Sequence, residues 1–238
     1  EVAKNYEEID NNVKDIIENS NFTIDFVLDT YLFDETQKLI MKEVAPQLYD
    51  HHGEKLMIGS FVSVAQKLDI IDSFDKQVIE KTVEHIKNTK CDYELSVNLS
   101  WVSIKNASFL MWLEEFTKQN NEYMKQVVFS ITSYTAQMHK IDFVTFVEEV
   151  DKLGLKTLLK RYKTEDFPLE QLDNLPLTYI RMHKDYTTGF TNDTLKKHKV
   201  KNILIYGQLN DIEIIGDSVK LDLDYELLDR LGAYATSK

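Results

Sequence analysis

From residue 93 to residue 206 the sequence alternates short apolar runs with longer stretches whose apolar residues recur at helical spacing, and no Pro-, Gly- or Ser-rich linker interrupts it. That alternation constrains the fold more than any other feature. Strands that return after each helix run parallel, and a parallel sheet needs helices over its faces. The runs 93–99, 127–132, 156–159, 179–182 and 202–206 read as strands, and 109–118, 143–153, 168–173 and 192–197 read as the helices between them. The pattern ahead of this is different. Residues 22–28 and 39–45 are β-rich, and the Asp34-Glu35-Thr36-Gln37 turn between them makes a hairpin. Residues 60–68 and 73–86 read as helices, the second with Ser73 as its N-cap. In the polar first stretch, Val13, Ile16 and Ile17 recur at helical spacing. Residues 1–20 are therefore read as an N-terminal helix or linker and 21–238 as one α/β domain. Pattern alone leaves a closed barrel and an open sheet both standing.

Composition narrows the partners. The length of 238 residues suits a single α/β barrel. A net charge of -12 disfavours nucleic-acid polymers and anionic membranes, both polyanions, but leaves room for a small anion in a local basic pocket. Cys91 is the single cysteine, which excludes an internal disulfide and multi-cysteine zinc motifs and fits a reducing cytoplasm. No run approaches the ~20 apolar residues of a membrane span, and no basic-then-apolar leader opens the chain. The seven glycines do not cluster into a phosphate-cradling loop. His51 and His52, in a turn beside Gly53, read as surface residues.

A series of local motifs resembles the EAL domain family of bacterial cyclic di-GMP phosphodiesterases. Glu43-Val44-Ala45 stands where that family has its Glu-Ala-Leu signature. Ile58-Gly59-Ser60-Phe61-Val62 and Ala65-Gln66 are similar to the segment that follows, and Ser96-Val97-Asn98-Leu99-Ser100 is similar to a family strand. Ser130-Ile131-Thr132-Ser133, the stretch from Leu153-Gly154 through Leu175-Pro176 to Tyr179-Ile180-Arg181, and Tyr206-Gly207 continue in family order. The resemblance runs from about residue 13 to the C-terminus and implies a TIM-like (β/α)8 barrel with an antiparallel first strand, in agreement with the hairpin. The last strand is expected to be short or missing.

The same resemblance carries a mostly negative expectation for chemistry. Family phosphodiesterases use carboxylates at strand ends to hold two divalent metals that activate water, together with a general base. Glu43 keeps the first carboxylate and Asn98 the amide. Ser130 and Ser133 stand for two glutamates, Lys160 and Arg161 for paired aspartates, Arg181 for a lysine and His183 for an aspartate. Tyr206 and Leu209 stand for the last two glutamates. Lys163-Thr164-Glu165-Asp166 replaces a glycine-rich loop, Asp29-Thr30 a Gln-Pro pair, and Gln47 a phosphate-contacting arginine. One carboxylate and one amide against three cations imply no metal, no cofactor and no hydrolysis. Glu43 reads as a buried ion-pair partner of Lys160 or Arg161, ahead of an anion site built from Glu43, Asn98, Lys160, Arg161 and Arg181. Asn98 serves either a ligand or the strand end, and His183 reads as a solvated or core-edge residue ahead of a ligand. The resulting expectation is a cytoplasmic, catalytically inactive signalling module that works through a protein partner or as a homodimer and makes no membrane contact, within a parent protein that is membrane-anchored or free. The alternative is a receptor that binds cyclic di-GMP without cleaving it, and an active phosphodiesterase ranks third.

Overall fold

The computed structural model describes residues 2–237. Eight strands close into a barrel in sequence order: β1 Thr23–Leu32, β2 Leu39–Gln47, β3 Glu94–Asn98, β4 Val127–Thr132, β5 Lys156–Tyr162, β6 Tyr179–Met182, β7 Glu213–Gly216 and β8 Ala235–Ser237. β1 pairs antiparallel with both β2 and β8, and every other neighbouring pair is parallel. The hairpin and the antiparallel first strand are as the sequence implied, and the last strand is present and short. The helices are α1 Val2–Glu18, α2 Ile58–Lys67, α3 Ile71–Thr89, α4 Trp101–Lys105, α5 Ala107–Met124, α6 Ser133–Met138, α7 Lys140–Lys152, α8 Lys184–Thr187, α9 Thr194–Leu209 and α10 Asp222–Arg230.

Strand parity divides the core in two. On β4, Phe129 and Ile131 point outward into the large cluster shared with the helices, while Val128 points inward. Val128 joins Met41, Leu158, Tyr179, Ile215 and Ala235 in a small apolar layer inside the barrel. Below it, Tyr179 donates its hydroxyl to Glu94 at 2.8 Å, and Lys156 pairs with the same carboxylate, closing the N-terminal end with a satisfied polar plug. Outside, Val13, Ile16 and Ile17 of α1 are buried in the main cluster and α1 packs on α2, so this segment behaves as a packing helix of the barrel.

The helix expected at 168–173 is only a short 3-10 turn, Leu169–Gln171, and two further local expectations fail for identifiable reasons. Residues 202–206 are not a strand but the middle of α9. Their apolar run mimics a strand, yet Val200, Ile203, Leu204 and Gly207 are buried at helical spacing while Ile205 is exposed. Strand β7 lies eleven residues further on, beginning at Glu213. Helix α3 starts at Ile71 rather than at a Ser73 cap, and its N-cap residue Ile70 makes no side-chain capping bond, because burial of Ile71 and Phe74 sets the helix start. Elsewhere caps act as their chemistry dictates: Thr132 Oγ1 accepts from Thr135 N at 3.2 Å and Asp193 Oδ1 from Lys196 N at 3.0 Å.

Candidate functional site at the barrel mouth

Period-2 alternation builds the site. Two residues beyond the apolar layer, on the same inward face, Met41 leads to Glu43, Leu158 to Lys160 and Tyr179 to Arg181. These positions lie toward the C-terminal ends of the parallel strands, where barrel active sites sit. The three side chains meet. Lys160 Nζ donates to Asn98 Oδ1 at 2.5 Å and to Glu43 Oε1 at 3.2 Å. Asn98 Nδ2 donates to the same Oε1 at 3.0 Å, and Arg181 Nη1 donates to Oε2 at 3.3 Å. One carboxylate therefore serves two cations whose side chains are 10% and 1% exposed. Arg181 is under-satisfied besides: Nη2 reaches only Thr30 Oγ1 at 3.4 Å and Met41 Sδ at 3.8 Å, and Nε has no acceptor among the described residues.

The titration shifts follow from that crowding. Burial pushes the Glu43 carboxyl up, but the attraction of Lys160, the Asn98 hydrogen bond and Arg181 outweigh it and hold the group below its usual range. Burial lowers Lys160 and Arg181, and the shared Glu43 only partly offsets it. His183 is lowered by burial and by Lys163. Its Nδ1 accepts from Asp185 N at 3.1 Å and caps α8, as suits a core-edge histidine.

A cavity of about 450 Å3 lies over the cluster, lined by Lys160, Arg181, Arg161, Lys184 and His183 against Glu43 and Asp217, with Leu28 and Ser218 completing the wall. Arg161 arrives there by a break in register. The β5–β6 pairing shifts between Leu159 and Tyr162, and Arg161 takes φ +51, the left-handed region. Its side chain is exposed and makes no ion pair among the described residues. The two candidate partners Glu165 and Asp166 are engaged elsewhere: Glu165 with Lys199 and Tyr186, Asp166 with Ser133 Oγ at 3.1 Å. Asp217 accepts from Ser218 Oγ at 2.9 Å and Ser237 Oγ at 3.0 Å.

The fold thus brings Glu43, Asn98, Lys160 and Arg181 into one hydrogen-bonded group and sets Arg161 and His183 on the wall beside it. Glu43 pairs with Lys160 and Arg181, and not with Arg161. Ser130 and Ser133 are buried, Ser133 Oγ also donating to Arg161 O at 2.9 Å, while Ser130 Oγ has no partner among the described residues. Tyr206 and Leu209 do not belong at the mouth. Both ride on α9, with Leu209 79% exposed and the Tyr206 hydroxyl on Asp173 at 3.4 Å. The chain just past β7 brings Asp217 and Ser218 to the mouth instead. Sequence reading missed these two and Lys184; the period-2 step from inward Ile215 to Asp217 was the available signal. Asp29 is paired with Lys42 at 3.3 Å, and Gln47 donates to Ala45 O at 3.2 Å. Beside Asn98 a second cavity of about 240 Å3 is lined in part by Phe74, Asp75 and Trp101. Burial pushes the Asp75 carboxyl up to about 6, against hydrogen bonds from Ser103 Oγ at 2.7 Å and Ser100 N at 3.0 Å. Among the described residues no three His, Cys, Asp or Glu side chains gather as a metal-binding group, and no helix is long and apolar enough to cross a membrane.

Comparison with known proteins sets this architecture in a family. The chain is 18% identical over 178 residues to the bifunctional diguanylate cyclase/cyclic di-GMP phosphodiesterase MucR of Pseudomonas aeruginosa, covering 73% of this chain and 26% of that protein. It is 22% identical over 192 residues to the cyclic di-GMP phosphodiesterase PdeB of Shewanella oneidensis, covering 79% of this chain and 22% of that one. The chain thus spans about a quarter of the length of these curated relatives. Among solved structures, the FimX EAL domain from Pseudomonas aeruginosa bound to c-di-GMP superposes with a TM-score of 0.83 at 16% identity, covering 96% of this chain and 93% of that one. The EAL domain family model matches residues 13–236, nearly all of the barrel, and the chain belongs to that family.

Proposed function

We propose that this chain is a catalytically silent EAL domain, a non-hydrolysing module of a cyclic di-GMP regulator that acts through contacts with a protein partner. One observation carries the reading: the Lys160 ammonium is seated between the carboxylate of Glu43 and the amide oxygen of Asn98. Those are the two oxygens that the family resemblance assigns to metal. A divalent pair does not fit this donor set. It needs several anionic oxygens, whereas here a fixed cation stands within hydrogen-bond distance of both donors and Arg181 holds the other carboxylate oxygen. Close repulsion between a divalent ion and an ammonium costs several kcal/mol, on the order of 4 kcal/mol per pair of unit charges at 4 Å near a protein surface. No step of hydrolysis is therefore routed through these residues.

The test is direct. The domain is incubated with cyclic di-GMP in magnesium and, separately, in manganese, beside an active EAL phosphodiesterase, and the linear product is followed by chromatography. No product is expected; metal-dependent turnover would overturn the reading.

A second reading, a cyclic di-GMP receptor without hydrolysis, is favoured by the open cavity lined by Arg161, which has no ion-pair partner among the described residues, and by the bound c-di-GMP named for the FimX EAL domain. Calorimetric titration with cyclic di-GMP distinguishes it, since micromolar binding indifferent to magnesium is expected of a receptor only.

A further inference from the structure

We infer that the barrel-mouth cavity is a metal-free site for a phosphate monoester dianion, gripped by Arg161 and Lys184 over the buried charges of Lys160 and Arg181. The inference goes beyond the silent-domain reading, and it differs from the receptor reading in the charge and connectivity of the phosphate.

Charge counting comes first. Four cations, Lys160, Arg161, Arg181 and Lys184, face two carboxylates, Glu43 and Asp217, so two positive charges are unmatched with His183 neutral. The deficit is deepest where it is most costly: buried Lys160 and Arg181 share one carboxylate, and the guanidinium of Arg181 keeps an Nε with no partner among the described residues. Asp217 also favours the charged form of Arg181 but makes no ion pair with it among the described residues, and its Oδ1 accepts from the hydroxyls of Ser218 and Ser237. A monoester phosphate carries roughly -1.5 to -2 near neutral pH, which matches the deficit. A single phosphate bridged to two carbons carries one charge and leaves half of it; cyclic di-GMP matches the total only by spreading it over two phosphates, so the distinction is that both charges arrive on one phosphorus.

Donor geometry comes second. Arg161 is a planar fork suited to two phosphate oxygens, and Lys184 is a point charge on the same wall; neither has an ion-pair partner among the described residues. The backbone is consistent with a built site: Leu28, Arg161 and Ser218, all lining the cavity, have φ of 55, 51 and 48, a conformation that costs energy in non-glycine residues and gathers at ligand sites. The volume of about 450 Å3 accepts a phosphate with an attached organic group.

The probes are inorganic phosphate, guanosine 5′-monophosphate and 3′,5′-cyclic GMP, each titrated calorimetrically in phosphate-free buffer, once with EDTA and once with magnesium. Phosphate and the monophosphate are expected to bind equally in both, and the cyclic diester at least about tenfold more weakly, as loss of one charge-assisted contact implies. The variant Arg161→Gly removes the fork while suiting a left-handed backbone, and should weaken the monophosphate at least about tenfold. Lys184→Ala, at an exposed position, should weaken it a fewfold. Equal affinity for the cyclic diester, a requirement for magnesium, indifference to Arg161→Gly, or no heat with any probe would each overturn the inference. Hydrolysis in the phosphodiesterase assay would instead remove the silent-domain reading and leave these titrations to stand or fall alone.

Discussion

The cluster at the barrel mouth makes an asymmetric prediction about stability. Glu43→Gln keeps the shape of the side chain and its bond to Asn98 but strips two buried cations of the carboxylate they share in direct contact. Breaking a buried pair by removing one partner costs about 3–5 kcal/mol, because the remaining charge is left uncompensated. Here two charges are left, yet the cavity admits water on one side, so a value near 3 kcal/mol is expected. Lys160 also has an escape. It can lose its proton, and from the ordinary value of 10.5 down to pH 7 that costs about 1.4 kcal/mol per unit, which caps its share near 5 kcal/mol. The escape leaves a signature. In the variant Lys160 falls further below its unfolded value, the unfolded chain binds more protons, and stability must rise with pH between the two values. Lys160→Met, by contrast, leaves the Glu43–Arg181 pair intact and fills the space with an apolar chain, so it should change stability by less than about 1.5 kcal/mol. Urea unfolding followed by circular dichroism at pH 6, 7.5 and 9 measures all of this. Equal costs for the two variants, or a flat pH profile for Glu43→Gln, would refute the view that Glu43 is the shared counterion.

Other consequences are independent of that cluster. Asp75 is fully buried with its carboxyl raised to about 6 from 3.8; the folded state therefore binds the extra proton, and stability should fall by up to about 3 kcal/mol as pH rises from 4 to 7. In Asp75→Asn that slope should vanish in urea unfolding carried out from pH 4 to pH 7, and its persistence would exclude Asp75 as the source. Gly207 faces Ile214, where an added Cβ would lie 2.5 Å from Cγ1 and 2.7 Å from Ile212 O, so Gly207→Ala should cost at least about 1–3 kcal/mol and lower the thermal midpoint. Ile16 in α1 is 2% exposed, and Ile16→Ala should cost about 2–4 kcal/mol in urea unfolding; a change under about 0.5 kcal/mol would mean that α1 does not belong to the barrel's core.

Most of the scaffold is legible in the sequence because its signals are local. The runs 127–132 and 179–182 coincide with β4 and β6. The strand misplaced at 202–206 shows the limit of such signals. Ile203-Leu204-Ile205-Tyr206 is as apolar as any strand here, and only the packing of α9 on β7 decides that its alternate residues face different surroundings. The error propagated: with β7 displaced, Tyr206 and Leu209 were given mouth positions that Asp217 and Ser218 hold. Arg161 marks a different limit. Its reach to the cavity depends on a register break and a left-handed backbone, neither of which an arginine announces.

Charge reversal at this mouth is cheap for the fold, and strand parity explains why. The inward residue that changed sign from the family pattern, Lys160, sits beside Arg181, which keeps the positive charge of the lysine it stands for, one inward step above an apolar layer of Met41, Val128, Leu158 and Tyr179 that carries no charge. That layer and the Glu94–Lys156–Tyr179 plug beneath it hold the strands in place whatever stands above. Constraint on the upper layer is therefore electrostatic: the group there must be compensated. A pair of metals amid carboxylates satisfies it, and so does an ammonium between a carboxylate and an amide. The second solution is incomplete, since Arg181 keeps an unpartnered Nε and Arg161 and Lys184 keep no counterion among the described residues. A barrel that had merely drifted away from catalysis would gain nothing by collecting four cations on one cavity wall, and the surplus charge is better accounted for by an anion that this mouth is built to take.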